Sequence, residues 1–460
     1  MENSDCRKRK YYEEVLRKHK NAADFYTVHK SMFKNMPDKL NNKDSIIYGT
    51  SISVIAPTLI SYVLHVLQNS KKRGLERLYF LSRDGYIMYR IAIILCDYYK
   101  IDIECKYLYV SRRTLRAPLY SIDSDEAMKY FCENGARISA RVILKRAGIS
   151  NNNEDRILDK LNIKFKDKPL NEYDLTILGK KLRENKQFME EALNYSKLSY
   201  NNISEYFLQE GLFDKKAYAI VDSGWIGSMQ RNIRQILSYR GINKRMLGYY
   251  FGMYKDGKEE DGEYNCFYFS NKYKSLSRVL FNNNLFECMC SANHGMTIGY
   301  SKNRQGLIEP ILKEYHNKWN VDLQLETIIK FTEEFVKVNK LEDIRMGKLH
   351  NITKKLLVGL MMFPNISEAS VYGSIPFCDD STEGYMINLA NILNKRELRQ
   401  YNIVYKIYEK MFYKKRGIKL NESFWINGTI QIMDISHKKL FNLNCIICEY
   451  IHYLSIKIKE

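Results

Sequence analysis

Proline and glycine are scarce, at 7 and 23 of 460 residues. Such a chain is neither collagen-like nor rich in long disordered tracts. No internal repeat or low-complexity tract appears. Long apolar runs are missing too. The most apolar stretch, Ile52 to Leu67, carries Pro57 and His65. It is shorter than the roughly 20 apolar residues that span a bilayer, so it predicts a buried helix covering one face of a sheet. The opening MENSDCRKRKYYEEVLRKHK is charged and lacks the apolar core of a secretory signal. The ten cysteines are scattered, and only Cys288/Cys290 and Cys445/Cys448 lie close together. Neither pair has a second pair at zinc spacing, so reduced, buried thiols in a cytoplasmic protein are expected.

Acidic residues are in deficit. Lys and Arg number 73 against 53 Asp and Glu, a formal net charge of +20. The excess favours acidic partners: phosphorylated metabolites, anionic headgroups at the inner face of a membrane, or nucleic acid. A general Lys-rich bias explains it equally well. No fingerprint of a nucleic-acid-binding module is present, which sets that partner aside. A hydrophobic content of 45% supports a real core, and the length suggests two or three units.

The pattern along the chain predicts an α/β protein with a parallel, Rossmann-like sheet. Residues 1–45 read as a charged helical arm. Residues 46–120 and 211–310 read as the α/β core. A first strand is expected at Arg77 to Leu81, a helix from Tyr86 to Tyr99, and a second strand from Cys105 to Val110. Strand, helix, strand is the unit of a parallel sheet. Residues 121–210 are polar and helix-prone, an inserted cap with a loop at Asn151 to Asn153. Strands resume at Ala217 to Val221 and Met246 to Met253. Residues 311–460 are mostly helical, including NIVYKIYEKMF.

Two strand-to-helix junctions carry the chemistry. The first ends in Ser82-Arg83-Asp84-Gly85, the second in Asp222-Ser223-Gly224-Trp225-Ile226-Gly227-Ser228. Ligands of open parallel sheets bind beyond the carboxyl ends of the strands, where helix N-termini attract anions. Asp84 and Asp222 are therefore candidates for holding Mg²⁺ or for acid–base work, although each could simply cap its helix. Gly85 would let backbone approach a ligand. Ser223, Gly224, Gly227 and Ser228 suit a phosphate cradle, or a tight turn. Arg83, Arg112 and Arg113 would meet at the same sheet end and suit bidentate phosphate recognition, or ordinary surface charge. Trp225 either stacks on a ligand or plugs an interface. Glu287 and His294, in LFECMCSANHG, are further acid–base candidates. Basic residues of the cap, such as Arg141, Lys145 and Arg146, are expected to face the ligand.

The motifs FLSRDGY, YVSRR, YFLQEGL, VDSGWIGSMQ and LFECMCSANHG, in this order, resemble a family of bacterial proteins encoded among surface-polysaccharide genes. That family is commonly assigned to the haloacid dehalogenase superfamily of hydrolases, and the resemblance spans roughly residues 46–310. It implies Mg²⁺-dependent chemistry on phosphate esters. The superfamily places Asp-x-Asp after its first strand, the first Asp being the nucleophile. Here Ser82-Arg83-Asp84 keeps only the second. The junctions are also similar to the two phosphate loops of type I phosphoribosyltransferases. Three functions stay open: a transferase acting on a phosphorylated or nucleotide-activated sugar, a phosphohydrolase with an altered nucleophile, and a non-catalytic scaffold bound to a glycosyltransferase in a glycan-assembly complex.

Overall fold

The computed structural model describes residues 2–133, 138–315, 319–378, 386–402, 405 and 421–459. Five strands form one sheet: β1 (Arg77–Leu81), β2 (Glu104–Leu108), β3 (Tyr218–Trp225), β4 (Met246–Met253) and β5 (Gly262–Phe269). Their order is β2-β1-β3-β4-β5 and every pairing is parallel. The chain first moves outward from β1 to β2. It then returns to the other side of β1 with β3 and continues outward through β4 and β5. Between β1 and β3 the winding reverses, and that crevice is where open α/β sheets place their ligands.

Both faces of the sheet are covered, as parallel sheets require. Alternation along the strands divides the core. Leu78, Phe80, Ala219 and Val221 point into one cluster. Tyr79, Leu81 and Ile220 point into the other. The first cluster takes its cover from helices Asn42–Lys72, Gly85–Tyr99, Val321–Val338 and Met346–Met362. The second takes Ile203, Tyr206 and Phe207 from helix Lys186–Glu210, and Ile233, Ile236 and Leu237 from helix Ser228–Tyr239.

Several expectations need correction. The first 45 residues are largely helical and pack on the main core: Tyr12, Leu16, Phe25 and Val28 join it, and Phe25 stacks on Phe335 at 4.9 Å. The apolar helix is longer than expected, running from Asn42 to Lys72 through a π turn at Ser51–Ile55. It is long and apolar enough to cross a membrane, yet 94% of its most apolar window is buried in the protein. Asn151 to Asn153 open a helix rather than a loop, with Ser150 extended at the N-cap position. β3 runs on through Asp222, Ser223, Gly224 and Trp225, four residues past its expected end, and pairs with β4 over that stretch. The NIVYKIYEKMF run falls almost wholly outside the described residues.

The insertion is helical and forms its own core around Phe131, Leu144, Leu158, Leu182 and Phe188. Its last helix, Lys186–Glu210, runs antiparallel to β1 and β2. The Glu210 carbonyl accepts from the hydroxyl of Tyr79 (2.8 Å), midway along β1. The Tyr206 hydroxyl accepts from the Tyr109 N–H (3.0 Å), just past the end of β2. The earlier half of that helix therefore extends beyond the carboxyl ends of the strands. Arg141 does not face a ligand: it is spent on Glu154, Asp155 and Asp167. Arg146 bonds the carbonyls of Phe131 and Glu133. Lys145 is exposed.

At the opposite end of the sheet, Arg77 ties three segments together. Its guanidinium reaches Glu104 (2.7 Å), Asp214 (2.9 Å) and the Gly211 carbonyl (3.0 Å). The side chain is nearly buried, whereas both acids are partly exposed. Arg77→Met keeps the aliphatic stem and removes every bond. It should cost about 2–4 kcal/mol, seen as a lower denaturant midpoint, while ligand binding at the far end of the sheet stays unchanged.

Candidate functional site

Asp84 follows β1 and Asp222 lies in β3, and the two strands pair directly with Phe80 opposite Val221. Both carboxyls therefore sit at the same end of adjacent strands, at the point where the winding reverses. The Ser223 hydroxyl donates a short hydrogen bond to Asp84, joining the two junctions. Glu287, on helix Asn283–Met289, supplies a third carboxyl and accepts from the Trp225 indole N–H at 2.8 Å. Beneath them the Tyr62 hydroxyl, on the long apolar helix, donates to the Asp222 carbonyl at 2.9 Å.

Three acids so placed cannot all ionise freely. Burial pushes Asp222 up to about 8, with the Asp84 and Glu287 charges adding to the rise and the Ser223 N–H and Arg112 opposing it. Burial pushes Glu287 up to about 7, with Asp84 adding; Arg112, the Trp225 N–H and Arg83 oppose. Burial also raises Asp84, but the Ser223 hydroxyl, Arg83 and Arg112 all favour its charged form. Burial thus raises all three, and the nearby hydrogen bonds and guanidiniums oppose it. Arg83 and Arg112 are exposed at the rim. Arg113 is half-buried.

The glycine-rich segment is not the open cradle its sequence suggests. Gly224 is a strand residue with φ +117°, and a Cβ there would come within 2.2 Å of the Gly252 carbonyl oxygen. Its glycine serves the close approach of β3 and β4. Gly227, with φ +67°, is the N-cap of helix Ser228–Tyr239, and a Cβ would strike the Tyr264 ring. Ser228 is the first residue of that helix. Gly85 packs against the Phe80 backbone, where a Cβ would sit 3.0 Å from the carbonyl carbon. Trp225 acts as a plug, packed on Tyr254, Phe281 and Phe286.

His294 has both ring nitrogens engaged. Nδ1 bonds the Gly295 carbonyl (2.9 Å) and Nε2 meets the Tyr107 hydroxyl (2.7 Å). With Nδ1 donating, Nε2 accepts from Tyr107, the neutral tautomer. Burial lowers its pKa and Arg83 adds to that, while the bond to Gly295 opposes it. His294 thus lies among tyrosines beside the acids rather than against them. The sequence reading missed Tyr107, Tyr62 and the link from Ser223 to Asp84. Nothing in local spacing signals them, because each depends on the strand order.

Among the described residues, no three His, Cys, Asp or Glu side chains gather closely enough to hold a metal ion. Mg²⁺ usually takes only one or two protein carboxylates, with substrate phosphate and water completing its shell. Asp84 and Asp222 fit that smaller role. The chain matches no protein-family model and no curated protein sequence.

The elevated Asp222 carboxyl makes stability pH-dependent in a definite direction. An unfolded Asp ionises near pH 4, whereas the folded one keeps its proton to about 8. The resulting stability is fully present below the unfolded pKa and is lost as pH rises towards 8, by at most about 1.4 kcal/mol per pH unit. Asp222→Asn removes this dependence. The melting temperature of the variant should gain steadily on the native protein between pH 5 and 8. Parallel pH curves for the two proteins would contradict the buried, protonated Asp222.

Proposed function

We propose that this protein is a transferase acting on a phosphorylated or nucleotide-activated sugar in bacterial surface-polysaccharide synthesis, with its reaction centre at the carboxyl ends of β1 and β3. The observation that carries the reading is the gathering of Asp84, Asp222 and Glu287 where the winding reverses between β1 and β3, linked through Ser223 and Trp225. Asp84, where the Ser223 hydroxyl, Arg83 and Arg112 support the charged form against burial, accepts the proton of an acceptor hydroxyl. Glu287, whose pKa burial raises to about 7, donates to the departing oxygen. Arg83 and Arg112 at the rim neutralise phosphate charge. Bound Mg²⁺ would supply further neutralisation of the phosphate, held by Asp84 and Asp222.

Transfer is favoured over phosphohydrolysis by Ser82. It stands where a haloacid dehalogenase carries its nucleophilic Asp. Its hydroxyl is committed to the Val110 backbone, donating to the carbonyl and accepting from the N–H. A covalent aspartyl-phosphate route has no nucleophile there. The haloacid-dehalogenase-like and phosphoribosyltransferase-like versions of the sheet both accommodate this chemistry.

The test is a thermal-shift screen with nucleotide-sugars, sugar phosphates and phosphoribosyl pyrophosphate, with and without Mg²⁺. A true ligand should raise the melting temperature, by linkage to the folded state. Mg²⁺ binding at pH 7 should release protons, because Asp222 must ionise to take part. Asp222→Asn should lower turnover by roughly a hundredfold or more while the protein stays folded. No stabilising ligand in the whole panel, or full activity in Asp222→Asn, would rule the proposal out. Phosphate release without any acceptor would replace transfer by hydrolysis.

A further inference from the structure

Beside the acids lies a group of rings with no role in the chemistry above. Tyr86 and Tyr89 come from the first turns of helix Gly85–Tyr99, directly after Asp84. Tyr107 is in β2 and Tyr109 just beyond it, and His294 closes the group. Tyr107 lies 5.4 Å from Tyr86, 5.9 Å from Tyr89 and 4.8 Å from Tyr109, centroid to centroid. His294 stands 5.7 Å from Tyr86 and 5.4 Å from Tyr109.

Three observations separate this group from ordinary core. All five rings are only partly buried, at the rim of the core. The hydroxyls are divided. Tyr107 is committed to His294, and Tyr86 accepts from Arg90 at 3.2 Å. The Tyr89 and Tyr109 hydroxyls make no hydrogen bond among the described residues. Finally, the group shares its cation with the acid site, since Arg83 acts electrostatically on His294 and Tyr107 as well as on Asp84 and Glu287.

We propose that Tyr86, Tyr89, Tyr109 and His294 form the subsite for the pyranose ring of a hexose phosphate whose phosphate lies at Arg83 and Arg112. This rests on the function proposed above and names the part of the ligand these rings take. Tyrosine offers both an apolar face for the C–H face of a sugar and a hydroxyl for its O–H groups. Recognition sites combine such apolar walls with a few placed polar groups. The Tyr107 hydroxyl, fixed by His294, holds the ring wall in position. His294, neutral near pH 7, adds no charge against the uncharged end of the ligand.

The test compares inorganic phosphate with glucose 1-phosphate and galactose 1-phosphate by calorimetry, in the full-length protein with Mg²⁺. At least one hexose phosphate should bind tenfold or more tightly than inorganic phosphate. Tyr109→Leu should erase that advantage and leave phosphate affinity unchanged. Tyr109→Phe, which keeps the ring and disturbs packing least, should lose part of it. Phosphate binding without any hexose advantage, or an advantage unchanged in both Tyr109 variants, overturns the subsite while leaving the phosphate site standing. No binding of any of the three overturns both.

Discussion

The pairing of β1 with β3 is the constraint on which the rest depends. These strands are separated in sequence by a helix, a strand and the whole helical insertion, yet Arg77 to Phe80 lie opposite Tyr218 to Val221. That one register brings Asp84 and Asp222 to adjacent strand ends. It also determines where the winding of the sheet reverses. A slip of one residue would turn every β3 side chain to the other face. The two cores divide along the same alternation, so the register that builds the site is also the register that buries the core. Arg77 reinforces the pairing from the far end by bonding the loop that leads into β3.

Electrostatics at the site follow from depth. The carboxyls sit inside, where lost hydration raises their pKa values, and the guanidiniums of Arg83 and Arg112 sit at the rim. An exposed arginine costs little to keep charged, and a buried carboxyl is easier to keep protonated than to ionise. The arrangement places carboxyls within and positive charge without. The net positive charge of the chain is no simple guide to this layout, since Arg141 and Arg146 are spent inside the insertion.

Much of the α/β core was legible from local pattern. The apolar runs at Arg77–Leu81 and Met246–Met253 and the helix after Asp84 coincide with the observed elements within a residue. Asp84 and Asp222 could be singled out because each closes such a run. The sequence misled where a residue type has two uses. Gly224 reads as a loop glycine, but it lets β3 pass close to Gly252. Trp225 reads as strange in a loop, and it is a strand residue packed into an aromatic cluster. Asn151 to Asn153 read as a loop, and they form the first turn of a helix that ends at Lys160. Pairs such as Tyr107 with His294, or Tyr62 with the Asp222 carbonyl, are set by tertiary contact and leave no mark in local spacing.

The long apolar helix Asn42–Lys72 has a consequence during synthesis. It is covered in the folded protein partly by Val321–Val338 and Met346–Met362, from much later in the chain. A ribosome makes the amino-terminal part first and takes many seconds to reach those later helices. Throughout that interval the nascent chain exposes a segment that meets the length and apolarity of a membrane span. The early neighbours that cover it are Glu2–Lys18 and Phe25–Lys34, and then Gly85–Tyr99. Prompt docking of these short helices, or the help of a chaperone, decides whether the emerging segment is kept from being mistaken for an insertion signal.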